Sequence, residues 1–349
     1  EPPPALQKMI AESLLHPEKG MHRYMTNSGY EEVRQSIAEY LSEIYGMQFT
    51  ASHVFMSNGS AGGLNILLKC ILDKGNEVIV PTPFFWEFRN YVRNHGGTLK
   101  TVHSHDDFQL DVDRIASAIN PKTRAILLNS PNNPTGAVYS GKSIADLVDL
   151  LNDRRSKGQD IYLIADDAYR KLVYDDVVLP NLFQAYELTI SINSHSKDLA
   201  LPGERIGYIA ISPRLPDSEL LVSGLMITQR TLGFVNAPAL FQRIVSQFQR
   251  VSVDIGEYQR KRDLLYNALV EGGYNCVKPQ GAFYMFPRSP VADEIEFVRA
   301  LQQDERIMVV PGRGFGKRGY FRIAYCVPME TIQRAIDGFI RMGKRFIKR

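Results

Sequence analysis

Between Ser194 and Gly207 the chain carries Ser194, a lysine three positions on at Lys197, a Pro202–Gly203 turn and an arginine at Arg205. A lysine amine forms a Schiff base with a carbonyl compound, and serine and arginine are residue types that hold a phosphate. The run therefore has the parts to bind a phosphorylated carbonyl cofactor covalently. Taken alone it equally describes a solvated loop in a chain with 41 lysines and arginines, so its meaning depends on what the remaining sequence sets beside it.

Four other stretches bear on that chemistry. Asp166 follows the apolar run Ile161 to Ala165. An acid at the carboxyl end of a strand in an open α/β sheet faces the ligand crevice, where it can meet a protonated ring nitrogen. A helix N-cap is the competing use, and it suits the neighbouring Asp167. Ser130 to Gly136 follows another apolar run, Ala125 to Asn129, and its prolines and glycine fix a turn that aims the Asn133 amide at an anionic oxygen. Asn58 to Gly63 opens a helical pattern whose first amides, those of Ser60 and Ala61 with Gly59 beside them, suit an anion, although the spacing is neither a Walker loop nor GxGxxG. Arg322 lies in the mostly apolar run Gly319 to Ala324. A guanidinium there either grips a carboxylate through two parallel bonds or makes a structural salt bridge.

The elements that must position these residues follow from periodicity. Helical spacing covers Ala5 to Leu15 and Tyr30 to Ile44 with Gly29 as breaker. From Val54 onward strands and helices alternate: strands at 54–56, 77–80, 98–102, 125–129 and 161–165, helices at 61–72, 88–94, 114–119 and 144–157. Such alternation predicts an α/β fold with a mostly parallel sheet covered by helices on both faces. Strands at 188–192 and 207–211 follow with no helix between them, marking where an antiparallel strand enters. A helical pattern from Ala237 to Val270 reads as one long linking helix. Beyond it come strands at 274–277 and 282–286, a helix at 295–301, strands at Met308 and Phe321, and a closing helix, which make a smaller α+β domain. The expected division is 1–44 as an N-terminal segment of the small domain, 45–250 as the large cofactor-binding domain and 251–349 as the C-terminal small domain.

In this order, from Tyr24 to Arg322 and on to the last helix, the motifs resemble those of the pyridoxal 5'-phosphate (PLP)-dependent aminotransferases of fold type I, class I/II. The resemblance implies a transferase-like large domain in which Lys197, Asp166 and Tyr169 are catalytic. Lys197 would hold the cofactor, Asp166 its ring nitrogen, and Tyr169 with Asn133 its phenolic oxygen. Ser60, Ala61, Ser194 and Arg205 would hold the phosphate. Phe85 would cover the ring, at a place where the family commonly has Tyr or Trp; Trp86 is the alternative, and core packing competes for either. Arg322, with Asn133, would take the substrate α-carboxylate. Tyr24 matches a tyrosine that reaches the phosphate of the neighbouring subunit, which implies a homodimer with shared active sites. The Gly281 to Tyr284 run and the Pro311–Gly312 turn also resemble family features, with no chemistry attached to them.

The activity implied is ping-pong transfer of an amino group from an L-amino acid to a 2-oxo acid. A PLP-dependent C–S β-lyase shares the fold, but such enzymes often have His where this chain has Tyr169. A non-catalytic PLP-sensing regulator would add an N-terminal DNA-binding module, which this sequence does not display. The donor's side chain stays open: Arg230 lies near where dicarboxylate-specific members draw an arginine from the partner subunit, and an interface charge explains it equally.

Composition narrows the classes. The 349 residues are 44% hydrophobic, enough for a large core, and carry a net charge of +3. With no basic-aromatic stripe, nucleic acid is not an expected partner. No apolar run nears the ~18 residues that suggest a membrane span, and no signal peptide is visible in the sequence. Cys70, Cys276 and Cys326 are odd in number and form no CxxC pair, which argues against a disulfide framework or a metal site and for a reducing, cytoplasmic setting. Cys70, within an apolar run, is read as a buried small hydrophobe.

Overall fold

The structure is a computed structural model and describes residues 1–347. Two helices with apolar stripes open the chain: α1, Pro4–Leu15, buries Leu6, and α2, Glu31–Tyr45, buries Val33, Ile37 and Leu41. α2 has Glu31 and Glu32 in its first turn, where acids complement the helix dipole, and ends at Gly46 in the left-handed region. Alternation then sets in: β1 (Val54–Ser57), α3 (Gly59–Ile71), β2 (Glu77–Thr82), α4 (Glu87–Asn94), β3 (Thr98–His103), α5 (Val112–Ala118), β4 (Thr123–Asn129), α6 (Gly141–Ser156) and β5 (Tyr162–Asp166). A short α7 (Leu182–Ala185), β6 (Thr189–Ser194), the single turn α8 (His195–Asp198) and β7 (Gly207–Ile211) complete this part. Next come α9 (Ser218–Thr231), α10 (Ala239–Ser246), α11 (Ile255–Glu271), β8 (Tyr284–Met285), α12 (Glu294–Glu305), β9 (Val310–Pro311), β10 (Phe321–Ala324) and α13 (Met329–Ile347).

Seven strands form one sheet in the order β1-β7-β6-β5-β4-β2-β3. β7 runs antiparallel to both neighbours, and every other pairing is parallel. β4 to β7 are almost wholly buried, as strands covered on both faces must be; β4, β5 and β7 are mostly apolar, while β6 alternates isoleucines with buried Thr, Ser and Asn. Their largest core joins Ile126, Leu127, Leu163 and Ile190 to Leu64, Leu67 and Leu68 of α3 and Leu147 and Leu151 of α6. A second core sets α1, α2 and α10 against β1 and β7 through Leu6, Ile37, Val54, Tyr208 and Ile244. A third, C-terminal core surrounds the antiparallel sheet β8-β10-β9 with α11, α12 and α13, and it also takes in Tyr169 and Leu172 from the loop after β5. The large sheet's crevice loops are thus packed directly into the C-terminal core.

α1 and α2 share their core with β1 and β7. Three expectations change. The 237–270 pattern is two helices, α10 and α11, separated at 247–254. The break is made by Asp254, whose side chain accepts from Glu257 N at 3.0 Å and caps α11. No strand forms at 274–277, and the strand at 282–286 shortens to Tyr284–Met285. A helical turn, α8, does lie between β6 and β7, and α7 and α9 are further helices that periodicity did not single out. Among the described residues no helix is long and apolar enough to cross a membrane. Cys70, Cys276 and Cys326 are free thiols. Cys70 is half-buried and packs against the first core.

Candidate active site

Of three neighbouring parallel strands, β4 and β5 end level and β6 runs two residues further. The pairing of Asn129 with Asp166 and of Asp166 with Ile192 aligns β4, β5 and β6. The chain therefore leaves β4 towards Asn133, β5 towards Tyr169 and β6 into the turn carrying Lys197 within one crevice. Asn129 ties two of these exits together: its Nδ2 donates to the Asp166 carbonyl at 2.9 Å and its Oδ1 accepts from the Asn133 amide at 2.7 Å. Asn129 is a site residue that the sequence reading passed over as the end of a strand.

Asp166 is 6% exposed, and its Oδ1 has no hydrogen-bond partner. Burial first, and the adjacent Asp167 second, push its carboxyl up to about 7, against the Ala168 amide and Lys197, which pull it down. Asp167 does not cap a helix: it accepts from Ser191 Oγ at 2.6 Å. Lys197 is half-buried with Nζ 5.4 Å from the Phe283 ring centre. Desolvation holds its amine below the usual lysine range, with Cys326 and Asp166 opposing and Arg205 and Arg322 reinforcing the shift. His195 directly follows Ser194. It lies in α8, 1% exposed, with Nδ1 3.2 Å from Asp198 Oδ2 and Nε2 3.3 Å from Gln249 Nε2. Asp198 in turn pairs with Lys171 at 2.9 Å. This buried network anchors the turn that presents Lys197.

Around the start of α3 the pieces of an anion site converge. A Cβ on Gly59, whose φ is +71°, would lie 2.9 Å from Arg205 Nη2, so the guanidinium rests on the glycine itself. Arg205 is held there by bonds to the carbonyls of Pro202 (2.8 Å) and Asn58 (3.4 Å). A Cβ on Gly207 would meet Asn193 O at 2.3 Å and the Cα atoms of Gly59 and Ser194 at 3.1 Å each. β6, β7 and α3 thus meet at a point only a glycine permits. Ser60 and Ala61 are in the first turn of α3, where amides lack intrahelical acceptors. Ser194 is buried and its hydroxyl pairs with that of Ser196 at 2.8 Å.

Arg322, from β10, reaches across to the large sheet. Its Nη1 donates to Asn133 Oδ1 at 3.0 Å, and its guanidinium carbon lies 4.6 Å from the Tyr284 ring centre and 4.7 Å from that of Phe315. Among the described residues it forms no ion pair, and its Nε is buried without a partner. The structural salt bridge that would explain Arg322 without a ligand is therefore missing. The Tyr169 hydroxyl is 3.1 Å from that of Tyr284, and burial first, then Tyr284, raises the Tyr169 phenol well above its ordinary value. Burial raises the phenol of Tyr91 on α4, with Glu87 and Asp166 adding to the shift and Arg205 opposing it.

Phe85 is half-buried beyond the end of β2, edge-on to Phe88 at 5.5 Å, while Trp86 is 42% exposed beneath Arg89. Tyr24 is 90% exposed, and Arg230 bonds Asn27 Oδ1 at 3.4 Å. Neither residue joins the crevice within one chain.

The arrangement fits PLP on its own atoms. A buried carboxylate oxygen without a partner suits a protonated ring nitrogen, a helix start against an arginine suits a phosphate, and a desolvated lysine suits an aldehyde.

The family described as aminotransferase class I and II matches residues 2–339. A probable aspartate aminotransferase of Methanocaldococcus jannaschii is 30% identical, over 91% of this chain and 85% of its own length. An aromatic-amino-acid aminotransferase of Thermococcus litoralis is 31% identical over 92% and 84%. Among solved structures, an amino transferase from Eubacterium rectale reaches a TM-score of 0.95 at 36% identity, covering 99% of this chain and 87% of that one. Thermus thermophilus aspartate aminotransferase with maleate reaches 0.86 at 28% identity, over 98% and 88%.

Proposed function

The chain belongs to the class I and II aminotransferases, and from that premise we propose that the crevice at the ends of β4, β5 and β6 is its transamination site, with Lys197 as the proton-moving base. The carrying observation is the unpartnered, buried Asp166 oxygen in the crevice that also receives a desolvated lysine. PLP, when bound, supplies a ring that takes up the electron pair left on the substrate α-carbon. Asp166 keeps a proton on the ring nitrogen. Lys197 Nζ, held below the usual lysine range, would accept a proton from the substrate α-carbon and deliver it to the cofactor's aldehyde carbon. Tyr169 and Asn133 would bond the phenolic oxygen. Ser60, Ala61, Ser194 and Arg205 would hold the phosphate, and Phe85 would cover the ring. Arg322, preset by Asn133, orients the α-carboxylate.

Tyr24 serves the partner subunit's phosphate in a homodimer, a reading its exposure supports. Three free thiols support a cytoplasmic setting. The relatives' names direct attention to aspartate and the aromatic amino acids as donors, with Arg230 as the candidate reader of a second carboxylate. A panel of these donors with 2-oxoglutarate and pyruvate separates them. The assignment is tested by Lys197→Ala, for which the bound cofactor's visible band is lost and turnover drops by roughly 100- to 10,000-fold. Full amino transfer by that variant would sink it.

A further inference from the structure

Tyr284 has no part in the chemistry above, yet it touches both halves of it. It lies on β8, directly opposite Ala324 of β10. Arg322, two residues before Ala324, is therefore its diagonal neighbour on the same face of the small sheet, within reach of a ring. The ring carries the Arg322 guanidinium on one side at 4.6 Å, and the hydroxyl meets that of Tyr169 at 3.1 Å. Phe283 and Tyr169 wall the ring at 4.9 and 5.8 Å between centroids. The titratable and charged groups facing it are Tyr169 after β5, Arg322 and Cys326 from and after β10, and Glu87 of α4.

The geometry points to Tyr284 as a positioning residue that links the substrate-carboxylate arginine to the cofactor's phenolic oxygen: its ring seats Arg322 while its hydroxyl donates to Tyr169. This rests on the reading of Tyr169 and Arg322 given above. The direction of the hydrogen bond follows from counting protons. Each phenol has one, and either can donate while Tyr169 has no other acceptor. Once the Tyr169 proton points at the phenolic oxygen, the bond to Tyr284 survives only if Tyr284 donates. A phenol that accepts a hydrogen bond is a better donor in turn, so Tyr284 strengthens the Tyr169 bond and favours the anionic phenolic oxygen. Together with the bond from Arg322 to Asn133, Arg322 then has two routes to the same oxygen, one through an amide and one through two phenols.

The test uses the holoenzyme and the pH titration of its visible absorbance, a readout independent of turnover. Tyr284→Phe keeps the ring and removes the hydroxyl. The titration midpoint should rise by about half a unit to one unit, the scale of one hydrogen bond, while KM for the amino donor stays within about twofold. Tyr284→Leu, which also removes the ring, should show the same rise and in addition increase KM by roughly three- to tenfold. It carries the titration if the phenylalanine variant fails to fold. In a Tyr169→Phe background, Tyr284→Phe should add no further shift, since its effect passes through Tyr169. An unmoved midpoint in Tyr284→Phe, or an equal shift with Tyr169 already removed, overturns the link while leaving the site reading intact. If Tyr169→Phe alone leaves the midpoint unmoved, the site reading fails at Tyr169 and the link fails with it.

Discussion

At the scale of single residues, Asp166 is the costly one. Its carboxyl is buried beside Asp167 and its Oδ1 is without a partner, which raises its pKa to about 7 from the ordinary 3.8. Between those two values the unfolded chain ionises Asp166 while the folded, cofactor-free chain keeps it protonated. The unfolded state then binds fewer protons, so stability falls as pH rises through that window. Asp166→Asn removes the penalty and the charge together. The cofactor-free variant should melt above the wild type at pH 8, by several degrees, and the gap should close as the pH is lowered towards 4. Its amino transfer should still fall by about 100-fold or more. If the cofactor-free variant melts lower at pH 8, the carboxylate is satisfied by protein groups and is not waiting for a cation. Asp198, equally buried, behaves in the opposite way. Although burial raises its carboxyl, His195 and Lys171 outweigh burial and hold it below the usual range.

At the scale of elements, the meeting of α3, β6 and β7 decides whether Arg205 can be where it is. Gly59 has a left-handed φ and no room for a methyl group beside Arg205 Nη2. Gly59→Ala should displace the guanidinium and strain the first turn of α3. Equilibrium dialysis is expected to show PLP bound roughly tenfold more weakly, equivalent to about 1.4 kcal/mol. Unchanged affinity would remove Arg205 and the α3 start from the phosphate site. The sequence made much of this legible because the chemistry follows strand ends. Asp166 directly follows an apolar run, and Asn133 and Lys197 come within four residues of the ends of β4 and β6, so local order alone sets them in a row. What stayed hidden was either capped or paired at long range. Asp254 breaks the 237–270 pattern, yet helical spacing continues through Ile244, Val245 and Leu265, so the period persists while the backbone turns. Tyr284 and Arg322 meet through the register of two short strands far apart in the chain, which no local pattern encodes. Asn129 was read as the last residue of a strand, because nothing local reveals that its amide spans two loops.

At the scale of the molecule, the site belongs to two sheets and, on the proposed reading, to two chains. Tyr169 and Leu172 from the large sheet's loop are embedded in the C-terminal core, and Arg322 returns the contact to Asn133. Within the chain, Tyr24 stands 90% exposed and away from the crevice. If it completes the partner's site, mixing Tyr24→Ala chains with Lys197→Ala chains under conditions of subunit exchange gives hybrids with one intact site. Activity should climb towards half that of the wild type per hybrid. No gain over Tyr24→Ala alone would place Tyr24 outside a shared site. Trp86 has a different consequence. It is the only tryptophan in the sequence, and it directly follows the aromatic proposed to cover the cofactor ring. Its indole emission overlaps the absorption of a bound pyridoxal, so energy transfer over that short span makes the protein's ultraviolet fluorescence a built-in gauge of how many sites are filled, with no label attached.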